Sequence, residues 1–264
     1  MRKDRINILG SQVSLYNCRE TADRIAEIAL QPPHAHAEYV CVSNVHTVTI
    51  GYEDAAYAKI TNESALSTAD GVPLIWASRI LNGPPIHGRA SGPDILELMI
   101  RDSKFLKLKH FFYGGSDSIL EKLCTNLRKI NPSVQIVGKF ASPIRETKSP
   151  IQPLDKGEES EMHTIESTCA HIVWIGLGAP KQEIFMYRAH KLMKPCVLIG
   201  VGAAFDFLSG TTKRAPHWVQ KSGLEWAYRF AQEPRRLANR YLKTNSKFVF
   251  QISKAIVERK LGSH

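Results

Sequence analysis

The stretch 172-IVWIGLGAPKQEIFMYRAHKL-192 decides how the rest of the chain is read. Residues 172–175 are four apolar side chains with no polar alternation, the mark of a strand buried on both faces. Gly176 and Gly178 break the run, and residues 181–192 then place apolar side chains at helical spacing. A buried strand, a glycine turn and a helix form half of a βαβ unit, which pairs in parallel with its neighbours. The same order recurs along the chain. Residues 196–199 lead into Gly200-Val201-Gly202, and residues 110–113 lead into Gly114-Gly115. Residues 39–42 and 134–137 add two more strand signals, while 21–30, 73–81, 93–100 and 118–130 carry helical periodicity.

These 264 residues, 43% of them apolar, can bury one large core. The prediction is an α/β fold: a Rossmann-like, mainly parallel sheet flanked by helices, with a C-terminal helical basic appendage. Residues 141–161, with Pro143, Pro150 and Pro153, read as a long exposed loop, either a lid or a surface excursion. After Gly210 the pattern changes to amphipathic helices at 216–221, 224–232, 234–243 and 247–260, with Pro216 and Pro234 at first-turn positions. The expected division is a catalytic α/β domain at 1–210 and an appendage at 211–264.

Charge follows the same boundary. The net charge is +10, and residues 211–264 hold twelve Lys and Arg against three acids, so nine of the ten positive charges lie there. Interleaved with Trp218, Trp226, Tyr228, Phe230, Tyr241, Phe248 and Phe250, they suit a surface of anionic phosphates: lipid headgroups, nucleic acid or a diphosphate. A solvated helix face is the plainer alternative. No run approaches the roughly 18 to 20 apolar residues of a spanning helix, and the start MRKDRINILG lacks a signal-peptide core, so a cytoplasmic location is expected. Five scattered cysteines without a C-x-x-C pair signal neither disulfides nor zinc.

Three glycine-bearing strand ends carry chemical content: Gly114 and Gly115, Gly176 and Gly178, and Gly200 with Gly202. At such turns backbone N–H groups can approach a phosphate, although a strand-to-helix turn also needs glycine for geometry alone. Together they outline a nucleotide-sized crevice, and none completes a dinucleotide or P-loop fingerprint. A second group is polar: Asn44, His46, Asp70 and Arg89. Asp70 precedes a helix, where a carboxylate is either an N-terminal cap or a general base. His46 reads as an acid/base group or as an ordinary hydrogen-bonded histidine. Arg89 offers a planar fork for a diphosphate, or a partner for Asp94.

These blocks occur in a definite order: 43-SNVH-46, 69-ADGVPLIW-76, Arg89 with 92-GPD-94, 110-HFFYGG-115, Gly176 and Gly178 with 180-PKQE-183, Gly200 to Asp206, 213-KRAP-216, 223-GLEW-226, Arg229 and 233-EPRR-236. In that order they resemble the WecG/TagA/CpsF glycosyltransferases, glycosyltransferase family 26, over about residues 8–243. The resemblance implies metal-independent, inverting transfer from a UDP-sugar to a polyprenyl-diphosphate-linked saccharide during assembly of a surface polymer, with no cofactor. It implies Asp70 as the base that deprotonates the acceptor hydroxyl. Arg89 and Asn44 become pocket groups, and Gln182 a polar group at the donor site, beside Gly202 and Asp206. Arg235, Arg236 and Arg240 are expected to reach the donor diphosphate, replacing a divalent cation in a chain without a D-x-D motif. The appendage is expected to dock on the anionic inner face of the bacterial plasma membrane. No nucleic-acid partner is implied, and an apolar appendage face off the membrane offers a route to self-association.

One position departs from the family pattern. Members often carry Thr two residues before the asparagine, where this chain has Val42, with a hydroxyl only at Ser43. N-acetylmannosamine, its uronic acid and plain hexoses are not separated by these residues. Two other classes compete: a non-catalytic basic protein that binds membrane or nucleic acid, in which Asp70 is dispensable, and a nicotinamide-dependent enzyme, disfavoured by the missing fingerprint.

Overall fold

The computed structural model describes residues 4–33, 35–81, 83–146 and 149–261, without the side chains of residues 221, 236–243 and 259–261. The chain opens with a hairpin of β1 (Arg5–Ile8) and β2 (Ser11–Ser14), followed by α1 (Cys18–Leu30) and β3 (Glu38–Ser43). Helices α2 (Val45–Glu53) and α3 (Ala55–Glu63) lead to β4 (Leu66–Ala69), α4 (Val72–Ile80) and α5 (Gly92–Arg101). Next come β5 (Lys109–Gly114), α6 (Asp117–Ile130), β6 (Gln135–Phe140) and α7 (Lys156–Ser167). Then follow β7 (Ile172–Gly176), α8 (Lys181–Ala189), β8 (Val197–Gly200) and α9 (Ala204–Leu208). The chain ends with α10 (His217–Lys221), α11 (Glu225–Gln232) and α12 (Pro234–Leu261).

Six strands form one sheet in the order β4-β3-β8-β7-β5-β6, every pair parallel, with helices on both faces as expected. One face carries α1, α5, α6 and α9 around Trp174, Phe112 and Phe205. The other carries α3, α7 and α8 around Tyr39, Tyr113 and Phe185. Because all strands run the same way, their carboxyl ends share one edge, the edge that binds ligands in such sheets.

Five elements, α2, α3, β4, α7 and α12, differ from the sequence expectation. Residues 45–63, read as neither helix nor strand, form α2 and α3. The β-branched Val45, Thr47, Val48, Thr49 and Ile50 lower the intrinsic helix preference of α2. A capping box between Asn44 and Thr47, together with burial of Thr47, Val48 and Thr49, overrides it. The four-residue strand β4, LSTA, is buried at every position yet half polar: Ser67 shares a hydrogen bond with Ser43 (2.8 Å), and Thr68 donates to the Ala90 carbonyl (2.9 Å). Within the expected loop 141–161, α7 begins at Lys156, started by reciprocal capping between Asp155 and Glu158. Finally, residues 234–261 form one helix of 28 residues rather than two. Its later half is anchored where Phe248 and Ile252 enter a cluster with Ile6, Ile8, Val13 and Leu74. Among the described residues, no helix is long and apolar enough to cross a membrane.

The hairpin is tied to the sheet layer by Arg5, which is buried. Its guanidinium donates to the carbonyls of Ser64 (2.6 Å), Ala65 (2.7 Å), Asn62 (3.3 Å) and Thr61 (3.5 Å), satisfying the C-terminal end of α3. Replacing Arg5 by Met keeps the apolar stem but removes the four guanidinium hydrogen bonds to these carbonyls. The expected cost is about 2 kcal/mol, a fall in Tm of roughly 4–8 °C, read by thermal melting.

Candidate active site

Asp70 lies at the carboxyl end of β4, beside the end of β3. Ser43 and Ala69 are paired in register, and the Asp70 N–H donates to the Ser43 carbonyl at 2.8 Å. Asn44 and Asp70 therefore leave adjacent strands side by side. The segment carrying Arg89 is fastened to the same edge, since the Ala90 N–H donates to the Ala69 carbonyl at 2.8 Å. Asp70 does not cap α4: Gly71 occupies the cap position and receives no side-chain hydrogen bond.

Asp70 is half-buried as a residue, with its carboxyl recessed among protein atoms. Burial raises its pKa from 3.8 to about 7; Arg89 and Arg229 pull it down, and Glu225 and Asp94 push it up. Two of these four charges belong to α11, so the C-terminal segment and the sheet edge act on the same carboxylate.

Arg89 is committed elsewhere. It pairs with Asp94 (3.1 Å) and Glu225 (2.9 Å), and Arg214 pairs with Asp94 (2.6 Å) and Glu225 (3.4 Å). The Ser91 hydroxyl donates to Asp94 at 2.5 Å and accepts from Arg89 and Arg214. Burial works against the charge of Asp94, but the hydrogen bond and charge of Arg214, aided by Ser91 and Arg89, hold its pKa below the ordinary value. Two cations and two anions thus form a closed, neutral cluster that joins residues 89–94 to residues 214–225. The sequence reading gave Arg214 and Glu225 no role, although both lie within quoted motif blocks; their signal was the separation of opposite charges across the chain, visible only once folded.

The other expected residues sort by geometry. Asn44 spends its Oδ1 on the backbone N–H groups of His46 and Thr47, at 3.0 and 3.2 Å, as the cap of α2. His46, in the first turn of that helix, is half-buried. The Ser43 hydroxyl is turned into the sheet toward Ser67, away from a crevice role. Arg235 is exposed at the start of α12; the side chains of Arg236 and Arg240 lie outside the described residues. Asp206 is half-buried on α9, its carbonyl holding the Thr212 N–H at 3.1 Å.

The glycines divide into two kinds. A Cβ on Gly176 would meet the Phe205 ring at 2.4 Å, and one on Gly114 the Gly176 backbone at 2.9 Å, so these two serve close packing. Gly115, Gly178 and Gly202 take φ of +70°, +77° and +55°, as Gly114 does at +106°, and a Cβ on Gly178 would meet nothing within 4 Å. The Gly178 and Gly202 N–H groups both donate to Gln182 Oε1, at 3.2 and 3.0 Å. Gln182 is therefore a buried bridge between two loops.

A cavity of about 370 Å³ opens beside these loops, lined by Gly115, Ser116, Gly176 and Leu177 with Arg145 and Lys181. Residues 142–146, part of the expected surface excursion, form one wall. With neighbouring strands about 4.8 Å apart, the end of β7 lies about 14 Å from that of β4, which carries Asp70. A larger open groove of about 760 Å³, between α12 and the α2–α3 pair, contains none of the expected site residues.

Comparison with known proteins identifies the family. The model of the glycosyl transferase WecG/TagA/CpsF family matches residues 6–262. Relatives include the N-acetylglucosaminyldiphosphoundecaprenol N-acetyl-beta-D-mannosaminyltransferases of three bacteria. That of Bacillus spizizenii is 26% identical over 190 residues, covering 71% of this chain and 69% of the relative. That of Bacillus subtilis is 25% identical over 184 residues, covering 70% and 67%. That of Staphylococcus aureus strain MW2 is 24% identical over 217 residues, covering 82% and 80%. The match spans the sheet, the crevice edge and the C-terminal helices together, and the chain belongs to the WecG/TagA/CpsF family of glycosyltransferases.

Proposed function

We propose that the protein transfers a sugar, with inversion, from a UDP-sugar to a saccharide carried on polyprenyl diphosphate, at the cytoplasmic face of a membrane. The names of the relatives, which specify an N-acetylglucosaminyl-diphosphoundecaprenol acceptor, support this substrate class. The single observation that carries the mechanism is the recessed Asp70 carboxyl at the strand-end crevice, its pKa raised by burial to about 7. A base of that strength is matched to removing a proton from a hydroxyl at neutral pH.

In the proposed step an acceptor hydroxyl gives its proton to the Asp70 carboxylate as its oxygen bonds to the anomeric carbon. The bond from that carbon to the donor diphosphate breaks on the opposite face, and its electron pair leaves on UDP. The cavity at Gly115 and Gly176, with Arg145 and Lys181 at its wall, fits the nucleotide half of the donor; the diphosphate and sugar extend along the strand ends toward Asp70. Arg229 and Arg235, with Arg236 and Arg240, supply positive charge to the departing UDP, and the basic C-terminal segment lies against anionic headgroups. Transfer would then be coupled to the surface where the acceptor is anchored.

Asp70→Asn is expected to lower kcat for sugar transfer at least about 100-fold while leaving UDP affinity near wild type. Wild-type turnover in that variant would contradict the base assignment. The wild-type rate is expected to rise with pH through about 7 as Asp70 ionises. Stability runs the other way. A carboxyl whose folded pKa is raised contributes stability that is complete below its unfolded value and is lost as pH climbs through the folded value. Asp70→Asn should therefore melt above wild type at pH 8, with the difference vanishing near pH 4.

Arg235→Ala is expected to raise the donor KM about threefold to tenfold without changing Tm, and to flatten its rise with salt. A point substitution is preferable to removal of α12, which would strip Phe248 and Ile252 from the core.

A further inference from the structure

Next to Gln182 lies a second buried polar side chain that the proposed mechanism does not use. Glu183, in the first turn of α8, is 1% exposed. Its Oε1 accepts from Gln182 Nε2 at 2.8 Å, while Oε2 has no hydrogen bond. The buried Tyr57 hydroxyl faces the same carboxyl, also without a hydrogen bond of normal geometry. Burial pushes the Glu183 pKa up to about 7. Holding a half-satisfied carboxyl in this setting is costly, and an apolar side chain of equal size would avoid the cost.

The geometry around Gln182 supplies a reason to keep it. A glutamine amide has nearly the same shape in either orientation, but one end accepts hydrogen bonds and the other donates them. With Oε1 toward the loops it receives both the Gly178 and Gly202 N–H groups. Turned over, it would set its own donors against two backbone donors. Gly200 lies close behind, where a Cβ would meet Gln182 Nε2 at 3.0 Å, so the amide is confined to its plane. Within that confinement, Glu183 Oε1 is the acceptor that holds the Nε2 end and so reinforces this orientation.

We infer that Glu183 is a positioning residue: by accepting from Gln182 Nε2 it fixes the amide that clamps the Gly178 and Gly202 loops in the shape that receives the donor nucleotide. The clamp stands on the hydrogen bonds alone; its consequence for donor binding rests on the function proposed above. The group needed is an acceptor rather than a negative charge, so Glu183→Gln should preserve the clamp and Glu183→Met should release it.

The test uses the full-length protein, labelled for NMR, with amide exchange read at Gly178 and Gly202 and steady-state transfer measured alongside. Glu183→Met is expected to melt no lower than wild type, because it removes a buried carboxyl, yet to speed exchange at both glycines about tenfold or more. It should also raise the donor KM about tenfold, with kcat within about threefold of wild type. Glu183→Gln should match wild type in exchange and KM. Unchanged protection at both glycines in Glu183→Met would overturn the inference, and so would a loss in Glu183→Gln equal to that in Glu183→Met. Should Glu183→Met fail to fold, Glu183→Gln decides alone: wild-type protection supports the acceptor role and lost protection refutes it. Absence of transfer activity in the wild-type protein would count against the proposed function, while the exchange rates would still decide the clamp.

Discussion

The Asp70 carboxyl sits where water is scarce and where the nearest cation is already engaged. Arg89 is shared between Asp94 and Glu225, and Arg214 repeats the pairing from the other side, so the four charges balance among themselves. Arg89 and Arg229 still favour an ionised Asp70, but burial outweighs them. Burial is the largest cause of its raised pKa; Arg89 and Arg229 oppose it, and Glu225 and Asp94 add to it. The same cluster binds residues 214–225 to the sheet edge, so the contact that fixes the C-terminal segment also sets the basicity of the carboxyl. One constraint thereby links architecture to chemistry.

That linkage ties the C-terminal segment to the carboxyl as well as to the sheet edge. Glu225 and Arg229 act on Asp70 with opposite signs from one short helix, so a shift of α11 would change the charge around the carboxyl. Arg229 also lies over the Phe207 ring, 5.3 Å from its centroid, which ties α11 to the segment after β8. At the far end, Phe248 and Ile252 sink into the hairpin cluster and hold α12 against the body. The C-terminal segment is consequently packed at both ends, with the site between.

Much of this was legible in the sequence, for identifiable reasons. The strands IVWIG and VLIG announce themselves by unbroken apolar runs, and the glycines after them mark the edge that carries the site. Strand β4 was hidden because LSTA satisfies its polar groups through Ser43 and Ala90, partners remote in sequence. Helix α2 was hidden because its β-branched residues are poor helix formers, rescued by a cap and by burial. The single α12 was read as two because the polar run Thr244-Asn245-Ser246 resembles a break. At the candidate site, Asn44 and Asp70 follow neighbouring strand ends, and Arg89 lies in the segment before α5 that is fastened beside them. What no motif could show was that Arg89 belongs to a neutral cluster, and that Gln182 takes the very N–H groups that glycine loops seem to offer a phosphate.

The most direct measurement is a ¹³C NMR titration of the Asp70 carboxyl in the full-length protein, compared with Glu225→Gln. The account predicts a wild-type midpoint near 7 and a lower one in the variant, since removing the Glu225 charge leaves Arg89 and Arg229 to favour the ionised form. A midpoint close to the ordinary 3.8, unmoved by the substitution, would contradict it.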